Sequence, residues 1–259
     1  MDRRIYFGDS NDKAKVPNKI YVGDTSDVAQ LVKKIYVGDG NNKARQVWPP
    51  FKWTDVYQRC EYILNNTAAQ YIITGVKPTS YTRFIVDFKI ENTLSYDSYI
   101  FNVMQGYYNQ VSILGNTSRN QLKLYFNGRG PGSSDAPVAT KTYSSQSALM
   151  DRHVVDYNRT GGYFFIDDEQ VGSSQATFSQ YSNSVPLFGE YNGVNGKYSA
   201  MPLKFRLYSF KAYENGVLIR DMVPCYRKSD TEIGLYDYAN DVFYTNDGGG
   251  IFYKGPDVN

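Results

Sequence analysis

The sequence is short of the residues and segments that most catalytic, metal-binding and membrane proteins use. It has one histidine and two cysteines in 259 residues, without the ligand spacing of a zinc site or the cysteine pattern of a disulfide framework. No apolar run approaches the ~20 residues of a transmembrane helix, and the N-terminus lacks the apolar region of a signal peptide. We therefore expect no metal, no membrane insertion and, for a full-length chain, cytoplasmic synthesis. Cys60 and Cys225 are interpreted as buried free thiols, although a contact between them stays open.

The sequence also lacks an excess of charge of one sign and a helical periodicity. The chain has 28 Lys and Arg against 26 Asp and Glu, so it lacks the electrostatic signature of a nucleic-acid-binding protein. What the sequence has instead is aromatic residues, at 16% of the chain with 25 tyrosines. Together with frequent Val, Ile and Thr, they favour β-strands over helices.

Residues 203–225 have the pattern of a complete β-hairpin. Apolar and polar residues alternate along the first half, and the phase slips by one residue near Ser209, which predicts a β-bulge. Asn215-Gly216 then favours a two-residue type I′ turn, because both residue types tolerate positive φ. The returning strand is expected over 217–223, with Pro224 as its end.

Further strands are predicted in the part of the sequence that precedes this hairpin. Residues 81–91 and 121–127 alternate cleanly between apolar and polar side chains, which is typical of a strand with one buried face. Shorter strands are expected at 99–104, 111–114, 154–155 and 163–167, with turns between them. Many short strands separated by turn signals predict an all-β sandwich.

An internal repeat precedes these strands. Ile5, Ile20 and Ile35 begin three units with a 15-residue period, and each unit is predicted to form a small β-hairpin. A unit of this size cannot bury an apolar face alone, so we consider a six-strand meander packed on itself or on the main domain, or a fibre-like trimer. Trp48-Pro49-Pro50 indicates a stiff linker, which places three hairpin repeats at 1–47 and a second domain at 48–259.

Four segments in the second domain carry a family resemblance: residues 61–75, 152–170, 203–225 and 234–256. In this order they resemble the concanavalin A-like (LamG-type) jelly-roll domains of phage and prophage tail and structural proteins. The resemblance implies a concanavalin A-like jelly-roll sandwich with the repeats as a small N-terminal β appendage. It leaves function open, since such sandwiches include lectins, glucanases and structural modules.

Catalytic residues are not evident. Glucanases of this fold use paired carboxylates on one strand, and the nearest acidic cluster, residues 167–169, is interpreted as a solvated hairpin turn. His153 has no nucleophile pattern to serve and is interpreted as a packed residue. The glycine-rich loop 128–133 lacks the Gly-Lys-Ser/Thr of a phosphate-binding loop. We therefore predict no enzyme, no catalytic residue and no cofactor.

Saccharide binding requires an aromatic face beside planar polar groups. That mixture occurs in two predicted loops and on the outward side of one predicted strand. The predicted ligand-binding residues are Tyr107, Tyr108, Asn109, Tyr125, Tyr191 and Asn192.

These observations give one preferred function and two alternatives. The preferred one is a non-catalytic, lectin-like adhesion protein of a phage or prophage virion, made in the bacterial cytoplasm and extracellular after release. Its expected partners are a host-surface glycan and other virion proteins, with a homotrimer through the repeats as one option and multivalent binding as the mechanism. The alternatives are a structural tail or decoration protein and a glycoside hydrolase.

Overall fold

The computed structural model describes residues 21–23, 29–31, 35–38, 44–48, 53–105, 109–128 and 137–258. The chain divides into two compact units, Met1–Asp55 and Val56–Asn259. The domain boundary predicted between residues 47 and 48 falls inside the first unit and stays a prediction.

The described strands of the first unit form two antiparallel pairs. The strands are β1 Tyr21–Gly23, β2 Ala29–Leu31, β3 Ile35–Gly38 and β4 Ala44–Trp48. β1 pairs with β2, and β3 pairs with β4. The second and third repeats therefore each contain a hairpin, while the first repeat lies outside the described residues.

The rest of the described chain consists mostly of short strands. Its elements are α1 Trp53–Val56, β5 Tyr57–Arg59, β6 Ile63–Asn65, β7 Ile72–Ile73, β8 Thr82–Ile90, β9 Ser98–Gln105, β10 Asn109–Asn116, β11 Gln121–Gly128, β12 Ala139–Thr142, α2 Gln146–Leu149, β13 Arg152–Arg159, β14 Tyr163–Ile166, β15 Glu169–Ser173, β16 Pro186–Leu187, β17 Gly189–Asn192, β18 Lys197–Ala200, β19 Phe205–Glu214, β20 Val217–Arg227, β21 Ile233–Asp237, β22 Val242–Tyr244 and β23 Phe252–Lys254.

The longer strands of the second unit form two sheets. Sheet A has the order β20–β19–β8–β13–β14–β15, and all its neighbours are antiparallel. Sheet B has the order β12–β11–β10–β9–β17–β18, in which only β9 and β17 run parallel. The sheets connect where Ala139 pairs with Gly172. This arrangement confirms the predicted all-β sandwich and is compatible with a jelly roll.

The core lies between the two sheets. β8 alternates strictly between buried and partly exposed residues, as its sequence predicts. The Phe84 ring of sheet A lies 5.3 Å from the Phe101 ring of sheet B, and Tyr157 is buried between them. Each fully buried aromatic or aliphatic side chain contributes ~1.5–3 kcal/mol, so these facing rows hold the sheets together.

The β19–β20 hairpin matches its sequence pattern in the turn and the bulge. Asn215 and Gly216 have φ values of 50° and 79°, as a type I′ turn requires, and the register with β8 shifts between Leu207 and Ser209. The predicted strand end at Pro224 is wrong, since β20 continues to Arg227. There the strand changes partner from β19 to β5, and at such a junction the missing proline N–H is tolerated.

Both cysteines are buried and free, which confirms the interpretation from sequence. Burial raises the pKa of Cys60 and of Cys225 to about 12. Native thiols with these pKa values are protonated at neutral pH and react slowly.

In the described part of the chain, no helix has the length and apolar character to cross a membrane.

Candidate functional site

An open cleft of about 550 Å³ lies at one end of sheet A. Its walls come from the start of β8, the β13–β14 turn, the segment after β15 and the β19–β20 turn. The residues that line it are Ser80, Tyr81, Arg83, Phe126, Asn158, Arg159, Thr160, Gly161, Gly162, Ser174, Gln175, Ala176, Thr177, Tyr213, Asn215 and Gly216. We call this the arginine cleft.

Two arginines of the cleft converge on one carboxylate. Arg83 holds Asp156 in a bidentate pair, with Nε to Oδ1 at 2.6 Å and Nη2 to Oδ2 at 2.7 Å. The Nε of Arg159 lies 2.9 Å from Oδ2 of the same residue. The hydrogen bonds with Asp156 raise the pKa of Arg83, so the pair remains charged and fixes the direction of the guanidinium.

Aromatic rings support both guanidinium groups. Arg83 lies over the ring of Tyr213 at 5.2 Å, and Arg159 lies over the ring of Phe165 at 4.6 Å. A guanidinium within ~6 Å of a ring centroid is attracted by the face of the ring. A further ring, that of Tyr81, is 64% exposed, and a flat aromatic face of this kind can stack on a sugar ring.

The turn between β13 and β14 forms a rigid rim of the cleft. Asn158 has φ 60°, and its side-chain amide donates to the carbonyls of Ser80 and Thr82 at 3.1 and 2.8 Å. On the other side, Ser174 N donates to Gly162 O at 2.8 Å. A Cβ atom on Gly162 would lie 2.0 Å from Ser174 O, so the close approach of these two segments requires glycine.

Tyr125, one of the predicted ligand-binding residues, lies on the face of sheet B that points away from the core. That face is not open at this position: Tyr125 is only 6% exposed and packs with Tyr99, Leu114 and Met201. The pattern gives the direction of the side chain correctly, but tertiary packing covers it.

The described residues of the two predicted ligand loops lie in strands. Asn109 is exposed, but it is the first residue of β10 and pairs with Gln105; Tyr107 and Tyr108 lie outside the described residues. Tyr191 is partly buried, and its ring lies 4.8 Å from that of Tyr198.

Asn192 ends β17, and its Oδ1 accepts from Val194 N at 2.9 Å, so it stabilises the following turn. The structure does not bring Tyr125 and Tyr191 together on one face, because the former lies outside the core and the latter packs against it. Ligand binding by the predicted residues stays a prediction.

A row of polar residues that no sequence pattern indicates lies beside Tyr125. Ser112 pairs across the strands with both Tyr125 and Asn102, and Gln110 lies two residues along β10. Asn102, Gln110 and Ser112 are fully buried, and no described residue provides a hydrogen-bond partner for their side-chain nitrogen and oxygen atoms. A buried polar group that has no partner costs ~1–3 kcal/mol.

His153 belongs to a structural hydrogen-bond cluster. Its Nδ1 lies 2.7 Å from Asp167 Oδ2, and its Nε2 lies 3.1 and 3.2 Å from the carbonyls of Ala148 and Leu149. The ring is 4% exposed, which confirms the interpretation of a packed histidine. Asp167 also accepts from Val154 N at 2.9 Å, so its carboxylate is more than the solvated turn residue that the sequence predicts.

The acidic side chains and possible metal ligands of the described residues bear on catalysis. The described lining of the arginine cleft includes no Asp or Glu. Within the described ranges, no three or more His, Cys, Asp and Glu side chains form a group that could hold a metal ion.

Sequence reasoning missed the cleft residues, although some signals were available. The alternation over 81–91 puts Arg83 on the polar side of its strand, and a turn is expected between the strands at 154–155 and 163–167. Nothing local indicates that this turn would meet the β19–β20 turn and the segment after β15. The residues that form the site are far apart in sequence.

No protein-family model matches the chain, and no curated protein matches it.

Proposed function

We propose that this chain is a non-catalytic, lectin-like protein that binds a saccharide in the arginine cleft. The observation that carries the proposal is the combination in one open cleft of an exposed aromatic ring, Tyr81, with fixed planar polar groups on Arg159 and Gln175. Open clefts with a few oriented polar groups are the usual form of small-ligand sites. The absence of carboxylates from the described lining favours binding over hydrolysis by paired acids.

The wider role that we propose is adhesion of a phage or prophage virion to a host-surface glycan. Its support is the resemblance of the chain to LamG-type jelly-roll domains of such virions, with which the antiparallel sandwich is compatible. The hairpins in the second and third repeats suit a trimeric stem. Several copies engaging one surface would turn weak single-site binding into firm attachment.

A glycan array probed with the full chain tests this proposal. We expect binding that Tyr81→Ala weakens about tenfold, since removing ~60 Å² of stacked ring area at ~25 cal/mol/Å² is ~1.5 kcal/mol. The matched control is Tyr96→Ala, because Tyr96 is also exposed, at 54%, and is not among the described lining residues of the cleft.

The array separates the proposal from its alternatives. Equal loss in both tyrosine variants would place the saccharide elsewhere on the protein. No binding to any glycan would contradict the lectin-like function and favour the structural tail or decoration role. Shortened saccharides after incubation would instead indicate a glycoside hydrolase.

A further inference from the structure

The charge of the arginine cleft is unbalanced. Its described lining includes two cationic side chains, Arg83 and Arg159, and no anionic one. Asp156, which is 8% exposed, is contacted by both arginines. The Arg83–Asp156–Arg159 cluster therefore carries a net charge of +1, while the neighbouring carboxylate of Glu214 accepts from the Thr79 and Thr82 hydroxyls at 2.6 Å.

The two arginines differ in the guanidinium nitrogens that remain as donors for a ligand. Arg83 uses Nε and Nη2 for its bidentate pair with Asp156, and its side chain is 25% exposed. Arg159 contacts Asp156 through Nε alone, and its side chain is 44% exposed. The two Nη atoms of Arg159 form no hydrogen bond with a described residue, so both remain as donors on a side chain that lines the cleft.

Two contacts restrict the orientation of Arg159 before any ligand arrives. Its Nε is held by Asp156 at 2.9 Å, and its guanidinium lies 4.6 Å from the centre of the Phe165 ring. A guanidinium held at one nitrogen and on one face loses little freedom when its remaining nitrogens bind a ligand. Planar carboxylates match this fork geometry, and charge-assisted pairs of this kind are roughly twice as strong as neutral hydrogen bonds.

We propose that the saccharide bound in the arginine cleft is acidic and that Arg159 binds its carboxylate. The inference rests on the proposed saccharide binding and names the class of saccharide. A carboxylate is favoured over a phosphate monoester because its single negative charge matches the net +1 of the Arg83–Asp156–Arg159 cluster. The exposed ring of Tyr81 stacks on the sugar ring that carries the carboxylate.

Calorimetric titration of the full chain with matched ligand pairs tests the proposal. The pairs are oligogalacturonate against its methyl ester, and sialyllactose against its methyl ester, so that the members of each pair differ only in whether each acidic sugar carries a free carboxylate. We expect at least one acidic member to bind about tenfold or more tightly than its neutral partner, and added salt to reduce this preference.

Arg159→Gln is the decisive variant, with Arg227→Gln as its matched control. Arg227 also pairs with an aspartate, at 2.7 Å from Asp230, and lies 5.6 Å over the ring of Phe243, but it is not among the described residues of the cleft. We expect the preference for the acid to fall about tenfold in Arg159→Gln and to be unchanged in Arg227→Gln.

The outcomes separate this inference from the proposed function. Equal binding of acidic and neutral members, or an acid preference that survives Arg159→Gln, would overturn the inference and leave saccharide binding intact. Absence of binding to all four ligands and to every glycan of the array would overturn both.

Discussion

Replacing Asp156 by Asn tests whether the paired arginines stabilise the fold. The substitution keeps the size of the side chain but removes the charge that holds Arg83 and Arg159. Hydrogen bonds to charged groups contribute ~1.5–3 kcal/mol each. The side chains of Arg83 and Arg159 are 25% and 44% exposed, so water replaces part of what is lost. We expect the free energy of unfolding to fall by ~2 kcal/mol.

Urea and thermal unfolding followed by circular dichroism measure this loss. A change of ~2 kcal/mol corresponds to a melting temperature lower by roughly 4–8 °C for a domain of this size. Asp230→Asn is the control, because Asp230 forms a similar pair with Arg227 at the surface and surface pairs contribute little. Equal effects of the two substitutions would refute the idea that Asp156 is an organising residue of the cleft wall.

Three further predictions concern thiols, the buried polar row and the rim of the cleft. Cys60 and Cys225 should resist a thiol reagent at pH 8 until the protein is unfolded. Burial raises the pKa of both thiols from 9.0 to about 12. The stability that the protonated thiols contribute should therefore decline as pH rises from 9 towards 12. Urea midpoints that stay constant across this range would contradict this reasoning. Ser112→Ala should increase the free energy of unfolding by ~1 kcal/mol, since the hydroxyl is buried without a described partner; a decrease would show that the hydroxyl is satisfied. Gly162→Ala should destabilise the protein far more than Gly216→Ala. Both glycines have positive φ, but of the two only Gly162 would place its new Cβ against a backbone oxygen. Equal melting temperatures of the two variants would contradict this.

Features encoded by neighbouring residues could be predicted from the sequence. The alternation along β8 gave its buried face, and Asn215-Gly216 gave a turn in which both residues have positive φ. Such signals are local, because side-chain direction in a strand has a period of two and positive φ favours few residue types. Pro224 shows the limit of this reasoning, since its effect depends on which strands lie beside it.

Features that depend on distant segments could not be predicted. The outward direction of Tyr125 followed from alternation, yet its burial depends on Tyr99, Leu114 and Met201. Likewise, the arginine cleft needs the start of β8, the β13–β14 turn and the β19–β20 turn at one end of a sheet. Sheet order decides which turns meet, and the hydrophobic pattern of one strand does not contain that order.

Hydrogen exchange of the full chain, with and without a saturating saccharide from the array, is the measurement that tests the central claim most directly. Our account predicts slower exchange in the 158–162 turn and in 174–177, which form the rim of the arginine cleft, and no change in β9 and β10. Protection confined to residues 98–116, with none at the rim, would contradict it and place the saccharide on the outward face of sheet B.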